Sequence, residues 1–280
     1  MDNKIKVLVS LLLAVVLFFI FKKLKLKKST LSTGLNDGKI AQIDVIEFKK
    51  TNKKYMDTLT TIQKNNIKIL VDEMKKEGIT NTFSQAGILS IISKESGFVP
   101  KSENLNYTSD QLQKVFALSK DNADGLAHKA ELIADTVYMP PHNTQLGNIN
   151  TGDGYAYRGR GYNQITGRAN YKKIGDEIGV DLISNPDLLN DPLIAAKSVL
   201  VFFRDGIKAL IKNGRMTSMY NTPSGNINDF KNTTDSVGAF YNINAGVGQS
   251  EKFLMNDVTK GRSMAIARVE PLYNLIKTLS

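Results

Sequence analysis

The stretch NDPLIAAKSVLVFFRDGIKALIKNG, residues 190–214, narrows the possible folds most. Asp191 can cap a helix, Pro192 suits its first position, where no backbone donor is needed, and Gly214 follows its end. The apolar run from Ser198 to Phe203 leaves little room for a polar face, so this segment is expected to be a central buried helix with other helices around it. The flanking chain supplies partners. YMDTLTTIQKNNIKILVDEMKKEG, from Tyr55, places Leu59, Ile62, Ile69, Leu70 and Met74 near helical spacing and stops at Gly78. TSDQLQKVF opens with a capping box, Thr108 and Gln111. His128–Met139 reads as a helix before Pro140-Pro141, and a last one runs from about Gly261 to Leu279. The expected fold class is mainly α, one helical domain over residues 55–280 with long Gly/Asn/Tyr-rich loops.

A different element precedes it. Val7–Phe21, VLVSLLLAVVLFFIF, holds one Ser and no charge, with lysines on both sides. As a helix it is roughly 22 Å long, short of a hydrocarbon core of about 30 Å, and snorkelling lysines can extend it. A cleaved signal would place small residues after the apolar run, whereas five of the next seven residues here are Lys. Residues 1–28 are therefore expected to be a single-pass membrane anchor and residues 29–54 a linker or stalk, with the protein in a cell envelope or a phage virion membrane.

Charge and composition exclude several functions. Of the formal +10, residues 1–28 carry +6, so the remaining 252 residues carry only +4. That suits an anionic polymer or a lipid headgroup surface and does not single out nucleic acid, so no nucleic-acid partner is expected. Without Cys there is no disulfide, thiolate metal site or cysteine nucleophile. His128 and His142 alone are too few for the usual zinc hydrolase, so no metal and no cofactor is expected.

Two carboxylates stand out. In SQAGILSIISKESGF, Ile88, Ile91, Ile92 and Glu95 share one helix face, and the helix should end at Ser96-Gly97. Glu95 is then either a partly desolvated acid at the base of an apolar stripe or a helix-end Glu extending into water. Eight residues on, Glu103 precedes the capped helix, as half of a general acid–base pair or as a charge near a helix N-terminus.

The motifs ESGF, ENLNY, GDGYAYRGRGYNQITGRANY and NPDLLNDP, in this order over about residues 80–250, resemble glycoside hydrolase family 19. They are most similar to its phage and bacterial endolysin branch, relatives of chitinases in the lysozyme-like superfamily. The resemblance implies a lysozyme-like helical domain with a substrate cleft, Glu95 as catalytic acid and Glu103 as base. It also implies that Thr166 helps hold the water or substrate and that Gln164 and Asn244 bind substrate. Two departures are visible: Lys94 stands where the family has His, with one Gly fewer after Glu95, and Ala245 replaces a usual Gly.

The segment GYAYRGRGYNQITGRANY then acquires a physical reading. Tyr155, Tyr157 and Tyr162 can offer flat faces to sugar rings, and Asn163, Gln164 and Arg158 can offer hydrogen bonds to hydroxyls. The arginines can alternatively hold Glu103 ionised while Glu95 stays protonated. Single-strand nucleic-acid binding fits poorly, because RGRG occurs once, and a phosphate loop lacks its Gly-Lys-Ser/Thr. The expected activity is inverting hydrolysis of β-1,4 bonds in peptidoglycan, or less readily in chitin-like polymers. A lytic transglycosylase that uses one Glu and a non-catalytic wall-binding or virion structural protein stay as alternatives.

Overall fold

The computed structural model describes residues 55, 57–214, 220, 222, 224–245 and 260–279. The apolar segment at residues 7–21, expected as a membrane anchor, and residues 29–54, expected as a linker or stalk, lie outside them. Among the described residues no helix is long and apolar enough to cross a membrane, and the only β pairing is an isolated antiparallel bridge between Arg160 and Ile165.

The helices in chain order are α1 (Thr61–Lys76), α2 (Thr82–Ser96), α3 (Ser109–Phe116), α4 (Lys120–Leu126) and α5 (Ala130–Tyr138), then α6 (Asp153–Ala156), α7 (Arg168–Ile178), α8 (Pro192–Lys212), α9 (Thr233–Ala245) and α10 (Lys260–Leu279). Local signals set most of their ends. Asp191 accepts from the backbone of Leu193 and Ile194 and starts α8, and Thr108 and Gln111 close their capping box on α3. α1 begins at Thr61, later than the periodicity suggests, because Thr60 and Gln63 form a capping box of their own. α5 stops at Tyr138, since Met139 precedes a proline and is extended.

The main core gathers α1, α2, α8, α9 and α10. Its central helix is α2, not α8 as expected. Every residue of α2 from Ser84 to Ser96 is buried, whereas α8 exposes Leu193 and Ile211. The serines that make α2 look half-polar are satisfied by nearby backbone: Ser84 donates to the carbonyl of Ile227, Ser90 to Gly87 and Ser96 to Ile92. α10 and α9 both pack along α2 and touch each other, and α1 closes against it. A second core lies under α3, α4 and α5, and a third joins Tyr157, Ile165 and Tyr171 to Leu189 and Val201 of the neighbouring 3-10 turn and α8. Loops between the cores carry Glu103, Gln164 and Thr166, while Glu95 and Asn244 stand on α2 and α9.

Candidate active site

α2 and α9 come unusually close. A Cβ on Gly87 would lie 2.0 Å from Ser236 Oγ and 2.9 Å from the Phe240 ring, so only glycine allows this approach. Eight residues further along both helices, Asn244 Nδ2 donates to Glu95 Oε1 at 2.9 Å. The two helices therefore run in the same direction, and their common C-terminal end presents Glu95. Its neighbour Lys94, buried against the Tyr241 ring, ion-pairs with the same oxygen. Glu95 is only 7% exposed, so it does not extend into water from a helix end.

The turn after α2 is tightly held. Gly97 and Phe98 both adopt left-handed backbone angles, with φ of 60° and 63°. Phe98 thus takes a conformation that suits the glycine absent from this motif, and its fully buried ring helps hold it there. From α1, Gln63 donates to the carbonyl of Gly97 and Asn66 to that of Phe98. This turn leaves Glu95 at the wall of a cavity of about 310 Å³, lined also by Tyr55, Gln63, Lys101 and Arg268.

Glu103 sits on the following loop. Its backbone N–H donates to Gly159 O at 2.7 Å, and the Gly159 N–H points back to Oε2 at 3.4 Å. Tyr138, the last residue of α5, reaches both carboxylate oxygens with its hydroxyl, at 2.9 and 2.8 Å. Burial raises the Glu103 pKa above its ordinary value, and Tyr138, Gly159 and Arg158 only partly offset it. The same burial, with the charge of Glu103 beside it, pushes the Tyr138 hydroxyl well up. Arg158 is thus the arginine that favours the charged form of Glu103. Lys94 ion-pairs Glu95, and desolvation outweighs Arg158 at Glu103.

Gln164, also left-handed at φ 56°, donates to the carbonyls of Lys101 and Gly161 at 3.0 and 3.2 Å. A Cβ on Gly159 would meet Gln164 Oε1 at 3.0 Å and Glu103 Oε2 at 3.4 Å. Glu103, Gly159 and Gln164 therefore form one cluster, and Lys101 connects it to the cavity beside Glu95. Thr166 donates to the carbonyl of Gln164 at 3.0 Å, which fixes the tight turn after the Arg160–Ile165 bridge. The half-buried Asn163 has an Oδ1 atom without a hydrogen-bond partner.

The tyrosines are placed differently from the expected sugar platforms. Tyr157 is core: its hydroxyl donates to Ile183 O and accepts from Arg168, and its ring meets Tyr171 edge-on. Tyr162 is wholly buried in the main core. Tyr155 is half-buried, with the Arg158 guanidinium stacked 4.1 Å above its ring. Tyr157 and Tyr162 are packing residues of the third and the main core, and Tyr155 packs in part against the second, because the loop that carries them touches all three. Sequence reasoning missed Tyr138 and Arg268 as site residues. Neither carries a local signal, since each reaches the site from a distant helix.

A family model described as chitinase class I matches residues 106–246, just over half of the chain. The chain belongs to glycoside hydrolase family 19. The matched span includes Gln164, Thr166 and Asn244, while Glu95 and Glu103 lie just ahead of it. A glycosyl hydrolase family 19 domain-containing protein of Haemophilus influenzae is 38% identical over 117 residues, 39% of this chain and 56% of that protein. Chitinase 8 of rice is 33% identical over 110 residues, 37% of this chain and 41% of its own length. Endochitinase 1 of Theobroma cacao is 51% identical over 51 residues, 18% and 16% of the two chains. The chain thus spans about half the length of the first two relatives. The mainly helical architecture agrees with the lysozyme-like fold of family 19.

Proposed function

We propose that this family 19 chain is a glycoside hydrolase that cleaves β-1,4 bonds of an amino-sugar polymer, with peptidoglycan as its substrate. The observation that carries this reading is the pair of carboxylates in contrasting surroundings. Glu95 is buried, ion-paired and held by Asn244; Glu103 keeps its proton to higher pH inside the Tyr138–Gly159 cradle. Inverting hydrolysis needs one carboxylic acid to protonate the leaving oxygen and one carboxylate to take a proton from the attacking water. In the family assignment Glu95 is the donor and Glu103 the base. A second reading, favoured by the Lys94 ion pair, exchanges the two roles. Either way the bridge oxygen gains a proton, the C1–O bond breaks and a water-derived hydroxyl ends on C1.

Mass spectrometry of fragments released from purified peptidoglycan and from chitin tests the proposal. Reducing-end products from the wild type, lost in both Glu95→Gln and Glu103→Gln, support it. Anhydro products that survive Glu103→Gln would make the chain a transglycosylase, and no product from a folded protein would leave a wall-binding role. An activated glycosyl fluoride, which needs no proton donor, separates the roles, because only the variant of the acid regains turnover on it. We further propose attachment to a membrane through residues 7–21, in a cell envelope or a phage virion. Recovery of the intact chain from a soluble fraction alone would refute that attachment.

A further inference from the structure

We infer that the cavity beside Glu95 is a carboxylate-binding subsite, with Arg268 and Lys101 as its cationic walls, that recognises an acidic substituent on the glycan. The inference rests on the proposed glycosidase activity and names the substrate group that this site selects.

The cavity is lined by three cations, Lys94, Lys101 and Arg268, against one carboxylate, Glu95. Only Lys94 is spent on Glu95, through Oε1. Arg268 arrives from α10, half-buried, and its Nη1 donates to Ser93 O and Oγ at 2.6 and 2.9 Å. The Tyr55 hydroxyl, 2.7 Å from the same Ser93 Oγ, helps hold that arrangement. Among the described residues no carboxylate pairs with Arg268 and nothing accepts from its Nε or Nη2. Burial accordingly lowers its pKa below the usual guanidinium value. Lys101 is exposed at the cavity rim, and among the described residues it too has no ion pair.

A partly desolvated guanidinium without a counter-ion is costly to keep. Here Ser93 fixes one nitrogen and leaves a two-nitrogen edge free, the geometry that takes a carboxylate in two parallel hydrogen bonds. A neutral chitin strand presents hydroxyls and acetamides and would leave this edge without its charge partner. A glycan bearing 3-O-lactyl groups supplies the carboxylate within a few ångströms of the sugar ring that Glu95 must reach. It comes either from the lactyl group itself, where the peptide has been removed, or from the stem peptide.

The test is kcat/KM of the full chain on four substrates: peptidoglycan strands with stems, the same strands after amidase treatment, strands with carboxylates neutralised by amidation, and chito-oligosaccharide. The expected result is that Arg268→Gln lowers the preference for carboxylated over neutral substrate about ten-fold, as loss of a charged hydrogen-bond pair does, chiefly through KM. Lys101→Gln, at an exposed position, shifts it in the same direction and guards against misfolding of the arginine variant. The stem-bearing and amidase-treated arms identify which carboxylate is read. An unchanged preference in both variants overturns the inference while the glycosidase reading stands. If the wild type cleaves nothing, that reading falls, and calorimetric titration with N-acetylmuramic acid against N-acetylglucosamine decides the subsite alone. Tighter binding of the acid, lost in Arg268→Gln, supports it, and equal binding overturns it.

Discussion

Gly87→Ala tests the contact that brings Glu95 and Asn244 together. The new methyl group would lie 2.0 Å from Ser236 Oγ, 2.9 Å from Phe240 Cδ2 and 3.1 Å from the Ser236 carbonyl carbon. Ser236 Oγ can turn away only by giving up its bond to Phe83 O, a loss of about 1 kcal/mol. The ring and backbone contacts add an overpacking cost of about 1–3 kcal/mol. Against this, alanine in mid-helix gains about 0.5–1 kcal/mol over glycine. The net expectation is destabilisation by about 1–3 kcal/mol, a drop in Tm of roughly 3–10 °C for a domain of this size. Activity should fall as well, because any shift of α9 carries Asn244 away from Glu95. Differential scanning calorimetry of Gly87→Ala, Ser236→Ala and the double variant measures it. The double variant should be more stable than the sum of the singles by about 1 kcal/mol or more, since removing the hydroxyl relieves the 2.0 Å overlap. A raised Tm in Gly87→Ala would refute the reasoning, because helix propensity would then be the only force at that position.

Other expectations concern Glu103 and the helix ends. Tyr138→Phe removes the hydroxyl that offsets burial at Glu103, so the Glu103 pKa rises further. In the pH profile of kcat/KM the acidic limb then moves up if Glu103 is the base and the alkaline limb if it is the acid; a profile that does not move would remove Glu103 from the chemistry. Because the folded-state pKa of Glu103 lies above its ordinary 4.5, its contribution to stability is complete below that value and is lost as pH rises through the raised pKa. Urea denaturation from pH 4 to 8 should therefore show the wild type losing ground to Glu103→Gln with rising pH, and the opposite trend would contradict the burial argument. Asp191→Ala deletes the cap on Leu193 and Ile194 and should cost about 1 kcal/mol, or roughly 2–4 °C in Tm; an unchanged Tm would show that packing alone sets the start of α8.

Read from residues alone, this protein is legible wherever the signal is local. Asp191, Pro192, Thr108, Gln111 and Gly97 mark helix ends because a capping side chain or a left-handed glycine acts within a few residues of itself. The apolar face that ends in Glu95 is likewise a matter of helical spacing, and the resemblance to family 19 rests on contiguous motifs. The order of burial was not legible. α2, rich in serine, lies innermost because its hydroxyls bond nearby backbone, while the more apolar α8 lies beside it with Leu193 and Ile211 exposed. Hydropathy measures what a side chain would cost if unsatisfied, and tertiary structure decides whether it is.

The same division runs through the site. That Glu95 and Glu103 are candidates follows from sequence. Their surroundings come from residues far along the chain: Asn244 for Glu95, Tyr138 and Gly159 for Glu103. Tyr157 and Tyr162, which look like sugar platforms in a polar, glycine-rich segment, are core residues because that segment must seal the helices beneath it. Sequence determines which groups can do chemistry; which of them are desolvated, paired or left with an open charge is set by contacts across many residues, where the electrostatics of a buried group are decided.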